Sequence, residues 1–170
     1  MTVSRTALKY GLIAGAGIVA YFLLFYFIKK ELLFNPFVYW ASLGIYLALM
    51  WSAVQEEGQA APAGESLGFQ GALRTAFLVF VIANFTYYLF YYLLYGLIDP
   101  GLIDLQREVM KETMEKWGNL LSEEQREDML ESIQGDKLVP TVHTVFFTFA
   151  RSLIGGFVAA LGMAALWRRK

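Results

Sequence analysis

The chain has no cysteine and a single histidine, His143. The first absence excludes a disulfide framework, thiol chemistry and a cysteine-held metal cluster. The second, with no His/Glu ligand pattern in the apolar stretches, argues against haem or a di-iron centre. Charge is scarce too, since Asp, Glu, Lys and Arg make up only 17% of the residues, against about a quarter in soluble proteins. There is no phosphate-cradling glycine loop, no hydrolase elbow and no metal-ligand spacing. No basic patch is available for nucleic acid. The expectation is a protein without catalytic residues, cofactor or metal.

What is present is apolar sequence in long runs. Hydrophobic residues make up 57% of the 170 positions, and mean hydropathy is +0.46. Tyr10 to Ile28, Leu32 to Gln55 and Thr75 to Ile98 carry no charge at all. Each is long enough to cross a hydrocarbon core, which takes about 20 helical residues. A fourth run, from Val139 to Trp167, is interrupted by Arg151 but is too long for an ordinary core helix. The fold class predicted is an all-α integral membrane protein, one membrane domain over 1–170 with spans at about 7–28, 36–54, 72–98 and 139–167. The first run exceeds the 7–15 residues of a signal-peptide core, and Lys29-Lys30-Glu31 follows it where a cleavage site would need small residues. It should therefore remain attached as an anchor.

Eleven of the fifteen acids lie between Asp99 and Asp136. Within that region Leu102, Leu105, Val109, Met110, Met114 and Trp117 recur at helical spacing, with charges filling the other side. Gly118 is a natural stop. Ser122-Glu123-Glu124-Gln125 reads as a capping box, and Met129, Leu130 and Ile133 form one face of a second short helix ending at Gly135. An amphipathic helical hairpin over about 101–135, between spans three and four, is the result. The stretch Glu56 to Ser66 reads as a solvated linker.

Arg5, Lys9, Arg74, Arg168, Arg169 and Lys170 flank one side of the spans; Lys29, Lys30, Arg107 and Lys137 lie close to the other. The positive-inside rule then predicts both termini in the cytoplasm and the hairpin outside.

Two patterns inside the spans are candidates for function. Thr141, Thr144, Thr148, Arg151 and Ser152 share one arc of the last span, and Asn84, Tyr87, Tyr88, Tyr91 and Tyr95 share one face of the third. Depth counting brings Arg151 level with Tyr88. A polar intramembrane cluster of Arg151, Asn84, Tyr87, Tyr88, Tyr91, Thr148 and Ser152 is expected. It is either a structural anchor, with Arg151 fixing helix register or snorkelling outward, or a pocket for an anionic lipid or small anion. His143 lies on the other side of its helix and reads as interfacial. The second pattern is small residues: Gly11 and Gly15 in the first span, Gly155, Gly156 and Ala159 in the last. Helices approach closely at such residues in lipid, so Gly11 is expected near Ala159 and Gly15 near Gly155, or else these faces form a homodimer seam.

KYGLIAG near the start, LGFQGALRTAF and YYLLYGLIDP bounding the third span, the acidic SEEQ helix and the Gly/Ala-rich final span ending in WRRK form a further pattern. In order and spacing these resemble domain of unknown function 4199, a family of small membrane proteins from Bacteroidota and relatives. Ala150, Arg151 and Ser152 depart from the acid and proline that the family's last span often carries. The resemblance implies a four-span inner-membrane protein and assigns no activity. With no catalytic constellation, the expected function is a non-enzymatic interaction scaffold or accessory subunit of a membrane complex, the alternative being the binding or transport of an anionic lipid or small anion around Arg151. The partners expected are membrane lipids and, through the small-residue faces or the 101–135 hairpin, another protein or a second copy.

Overall fold

The computed structural model describes residues 4–60, 67–117, 120–135 and 138–167. The expected stop at Gly118, the basic residues Lys137 and Arg168 to Lys170, and residues 61–66 of the linker lie outside them. The described residues are almost entirely helical: α1 (Arg5–Ile28), a 3-10 turn (Lys30–Phe34), α2 (Pro36–Gln59), α3 (Phe69–Leu93) prolonged by a π turn (Leu94–Ile98), α4 (Gly101–Trp117), α5 (Glu123–Gln134) and α6 (Val142–Trp167). Of these, α1, α2, α3 with its π turn, and α6 are long and apolar enough to cross a membrane. The protein is an all-α membrane protein of four such helices, with α4 and α5 as the hairpin between the third and fourth.

Local chemistry sets the helix ends. Asn35 Oδ1 accepts from the Phe37 amide at 2.9 Å, and Pro36 occupies the first helical position, where its missing N–H has no partner to lose. The capping box is formed: the Gln125 amide donates to Ser122 Oγ at 3.3 Å, and the Ser122 amide donates to Gln125 Oε1 at 3.1 Å. Thr141 and Thr144 do the same for α6, which explains why it starts past Pro140 rather than at Val139. Helix α2 continues beyond residue 54 to Gln59. Its acids have partners there, because Glu56 accepts from Lys9 Nζ at 2.9 Å and Tyr10 Oη at 2.8 Å, and Glu57 accepts from Ser4 Oγ.

Helix α3 is the centre of the bundle and touches α1, α2 and α6. Its buried face is small or β-branched over much of its length, at Ala72, Thr75, Ala76, Val79 and Ala83, so neighbouring backbones come close and gain dispersion contacts. Gly11 of α1 faces Ile82, and Gly15 faces Thr86. On its other flank, Gly156 of α6 lies against the ring of Phe80. The expected pairing of Gly11 with Ala159 and Gly15 with Gly155 is therefore corrected. Helix α3 stands between α1 and α6, and the glycines of α1 accommodate its branched side chains instead. Among the described residues, a Cβ on Gly155 would meet nothing within 4 Å.

The hairpin sits at the end of the bundle where α1 and α3 finish. Leu102 and Ile103 of α4 are buried, as is Ile133 of α5. Asp99, at the junction of α3 and α4, accepts from Tyr26 Oη at 3.0 Å and pairs with Lys30. The Lys30 ammonium is the main reason that the Asp99 carboxyl is held below the usual carboxylate range, and Asp99 in turn raises Lys30.

Candidate ligand cleft

Helices α2 and α6 meet at the end nearest the chain termini and separate toward the hairpin. At the closed end the Trp167 ring lies against Gly58, its indole N–H donates to the Leu67 carbonyl at 3.0 Å, and it stands edge-on to Trp51 at 6.1 Å. Where they separate, a cavity of about 380 Å³ opens between them with α3 as its floor. Tyr39, Ser42, Tyr46 and Met50 come from α2; Phe80, Asn84, Tyr87 and Tyr88 from α3; Ser152, Gly155 and Ala159 from α6. Gly155 helps to make the space, since nothing lies within 4 Å of where its Cβ would stand.

The polar centre of the cleft is Asn84, which is only 5% exposed. Its Nδ2 donates to Ser152 Oγ at 2.6 Å, and Ser152 Oγ donates onward to the Phe149 carbonyl at 2.6 Å. Tyr46 Oη donates to Asn84 Oδ1 at 3.4 Å, a long contact. Three helices are thus tied through one amide inside an apolar cavity, where a missing hydrogen bond would cost more than in water. Phe80 stacks obliquely on Tyr46 and Phe22 on Tyr87, each pair at 5.2 Å, which fixes the rings that wall the cavity.

A second cavity, of about 200 Å³, lies nearer the hairpin. Tyr87, Tyr88 and Tyr91 of α3, Thr144 and Thr148 of α6, and Leu138 to Pro140 of the connection line it. Tyr87 and Tyr88 line both cavities and form the partition between them.

Of the cluster read from the sequence, the cleft holds Asn84, Tyr87, Tyr88 and Ser152, and the adjoining cavity adds Tyr91 and Thr148. Arg151 lines neither. It is exposed, on the stripe of α6 that carries Phe147, Ile154 and Val158, each more than 60% exposed. One residue step on a helix is about 100°, enough to turn Ser152 toward α3 while Arg151 faces outward. His143 is also exposed. Sequence reasoning missed the α2 wall of Tyr39, Ser42 and Tyr46. Their spacing of three and four is a polar stripe in an otherwise apolar span, a signal of the same kind as that of the third. Among the described residues no group of three or more His, Asp or Glu side chains is placed to hold a metal ion.

The fold and cleft define a small polytopic membrane protein of four spanning helices with a cavity opening between two of them. Residues 9–169 match the family model described as protein of unknown function (DUF4199), and the chain belongs to that family. No curated protein and no solved structure matches it.

Proposed function

We propose that this is a non-enzymatic binding protein whose cleft between α2 and α6 takes a membrane lipid. The supporting observation is the cavity of about 380 Å³ at Gly155, walled by apolar and aromatic groups with a few convergent polar atoms. That size and lining are those of a ligand pocket, which usually spans about 300–1,000 Å³. The closed end at Gly58 and Trp167 supports binding over transport, because among the described residues the lining of the cavity stops at Met50 of α2 and Ala159 of α6. The bases flanking the spans favour both termini in the cytoplasm, so that the cleft widens toward the outer leaflet. Native mass spectrometry from mild detergent tests the proposal. The wild type should carry a chain-bearing lipid that Gly155→Leu, which fills the cleft, does not. Equal lipid retention by both would reject it.

A scaffold or accessory role is the second reading. Gly44 and Gly162 have open space where a Cβ would stand and leave room for another helix. Gly11 and Gly15 no longer support a seam between copies, since α3 occupies that face. A stoichiometric partner, or a defined oligomer broken by Gly162→Leu, would favour this reading.

A further inference from the structure

We infer that the lipid held in this cleft has an uncharged head bearing a hydroxyl or carbonyl group, and that Asn84 is the residue that reads it. The inference rests on the cleft being a lipid site and names the class of lipid.

Every side chain lining the cleft, and every one lining the adjoining cavity, is uncharged. The cation that could have answered an anionic head, Arg151, lies next to Ser152 in sequence yet on the outward stripe of its helix. An ionised group seated at Asn84 would lose its hydration with no opposite charge to replace it, which costs several kcal/mol. A purely apolar chain fits no better, because it would leave hydrogen-bonding groups facing hydrocarbon.

The polar groups themselves favour a neutral acceptor. Asn84 has two amide protons, and one goes to Ser152. The second can be donated to an oxygen in the cavity that Asn84 lines. Tyr39, Tyr46, Tyr87 and Tyr88 belong to the same lining; the Tyr46 hydroxyl donates to Asn84 and can still accept, and the other hydroxyls can donate or accept.

Neutral polar side chains continue beyond the cleft as well. Thr144, Thr148 and Tyr91 line the cavity nearer the hairpin, and Tyr87 and Tyr88 carry the polar lining on to Asn84. Neutral hydrogen-bonding groups thus run from the hairpin side to the middle of α3 and end there, below which Trp51, Gly58 and Trp167 close the gap.

Three probes with the same chain and different heads decide the matter: hexadecanol, hexadecyl sulfate and hexadecane, measured by competition for the purified protein in nanodiscs. Hexadecanol should bind at least tenfold more tightly than either of the others. Asn84→Leu should cut hexadecanol binding about tenfold, toward that of hexadecane, and Ser152→Ala should cut it less. Should Asn84→Leu not fold, the ranking of the probes on the wild type still decides. A sulfate that binds as well as the alcohol would overturn the inference, as would an Asn84→Leu protein that keeps the alcohol preference. Either result leaves the cleft reading standing, provided Gly155→Leu removes all binding. If no probe binds the wild type, or Gly155→Leu changes nothing, the cleft reading itself fails.

Discussion

Gly15 and Thr86 face each other so closely that a Cβ on Gly15 would sit 2.7 Å from the Cβ of Thr86. No real side chain tolerates that approach without displacing a helix. Gly15→Ala should therefore lower detergent stability by about 1–3 kcal/mol, as overpacking does. Gly155→Ala, placed in open space, should be neutral or gain the roughly 0.5–1 kcal/mol by which alanine exceeds glycine in a helix. Thermal unfolding of the two variants side by side checks the contrast; equal destabilisation would contradict the packing order described.

The tie of Lys30 to Asp99 gives a pH signature. Asp99 is held below its ordinary pKa, so its contribution is complete above the ordinary carboxylate value and is lost as pH falls through the lowered one. Lys30 is raised, so its contribution is complete below the ordinary lysine value and is lost as pH rises through the raised one. Stability from this pair should form a plateau through neutral pH, with an acid and an alkaline limb. Asp99→Asn should flatten both limbs in unfolding midpoints collected across pH. Unchanged limbs in that variant would assign the pH dependence elsewhere.

Arg151 stands on an outward stripe of α6 among apolar neighbours. An arginine so placed is costly unless its head reaches the interface. Arg151→Met should keep or raise stability and leave binding of the uncharged probe unaltered within about twofold, far less than the tenfold (about 1.4 kcal/mol) expected at Asn84. A loss of probe binding on that change would move the site to Arg151.

Because the chain has no native cysteine, single cysteines introduced at Ser132 and Ala61 report topology without background. Ser132 should label from outside intact cells, and Ala61 only after permeabilisation, given the distribution of bases. The reverse pattern would invert the orientation.

The spans, the hairpin and its capping box were legible in the sequence because charge-free length and cap chemistry are local properties. For the same reason four of the cleft's lining residues, Asn84, Tyr87, Tyr88 and Ser152, could be grouped from the sequence, since each sits on a polar stripe of its own helix. Partner assignment was not. Periodicity shows that Gly11 and Gly15 share a face, but which helix fills it depends on the branched side chains of Ile82 and Thr86. Arg151 and Ser152 show the same limit at closer range. Depth counting treats neighbours as equivalent, whereas a turn of about 100° puts one on the cavity and the other outside.

The central place of α3 also orders assembly. When α1 and α2 have entered the bilayer, the notch at Gly11 and Gly15 is still vacant, and only the third helix to be synthesised carries the Ile82 and Thr86 that fill it. The notch on α1 is therefore filled only when α3 is present. The last helix then docks onto a finished three-helix body through Gly156 against Phe80 and Trp167 against Gly58. The cleft is thus complete only once α6 is in place, and without α6 the Asn84 amide would lack its Ser152 partner.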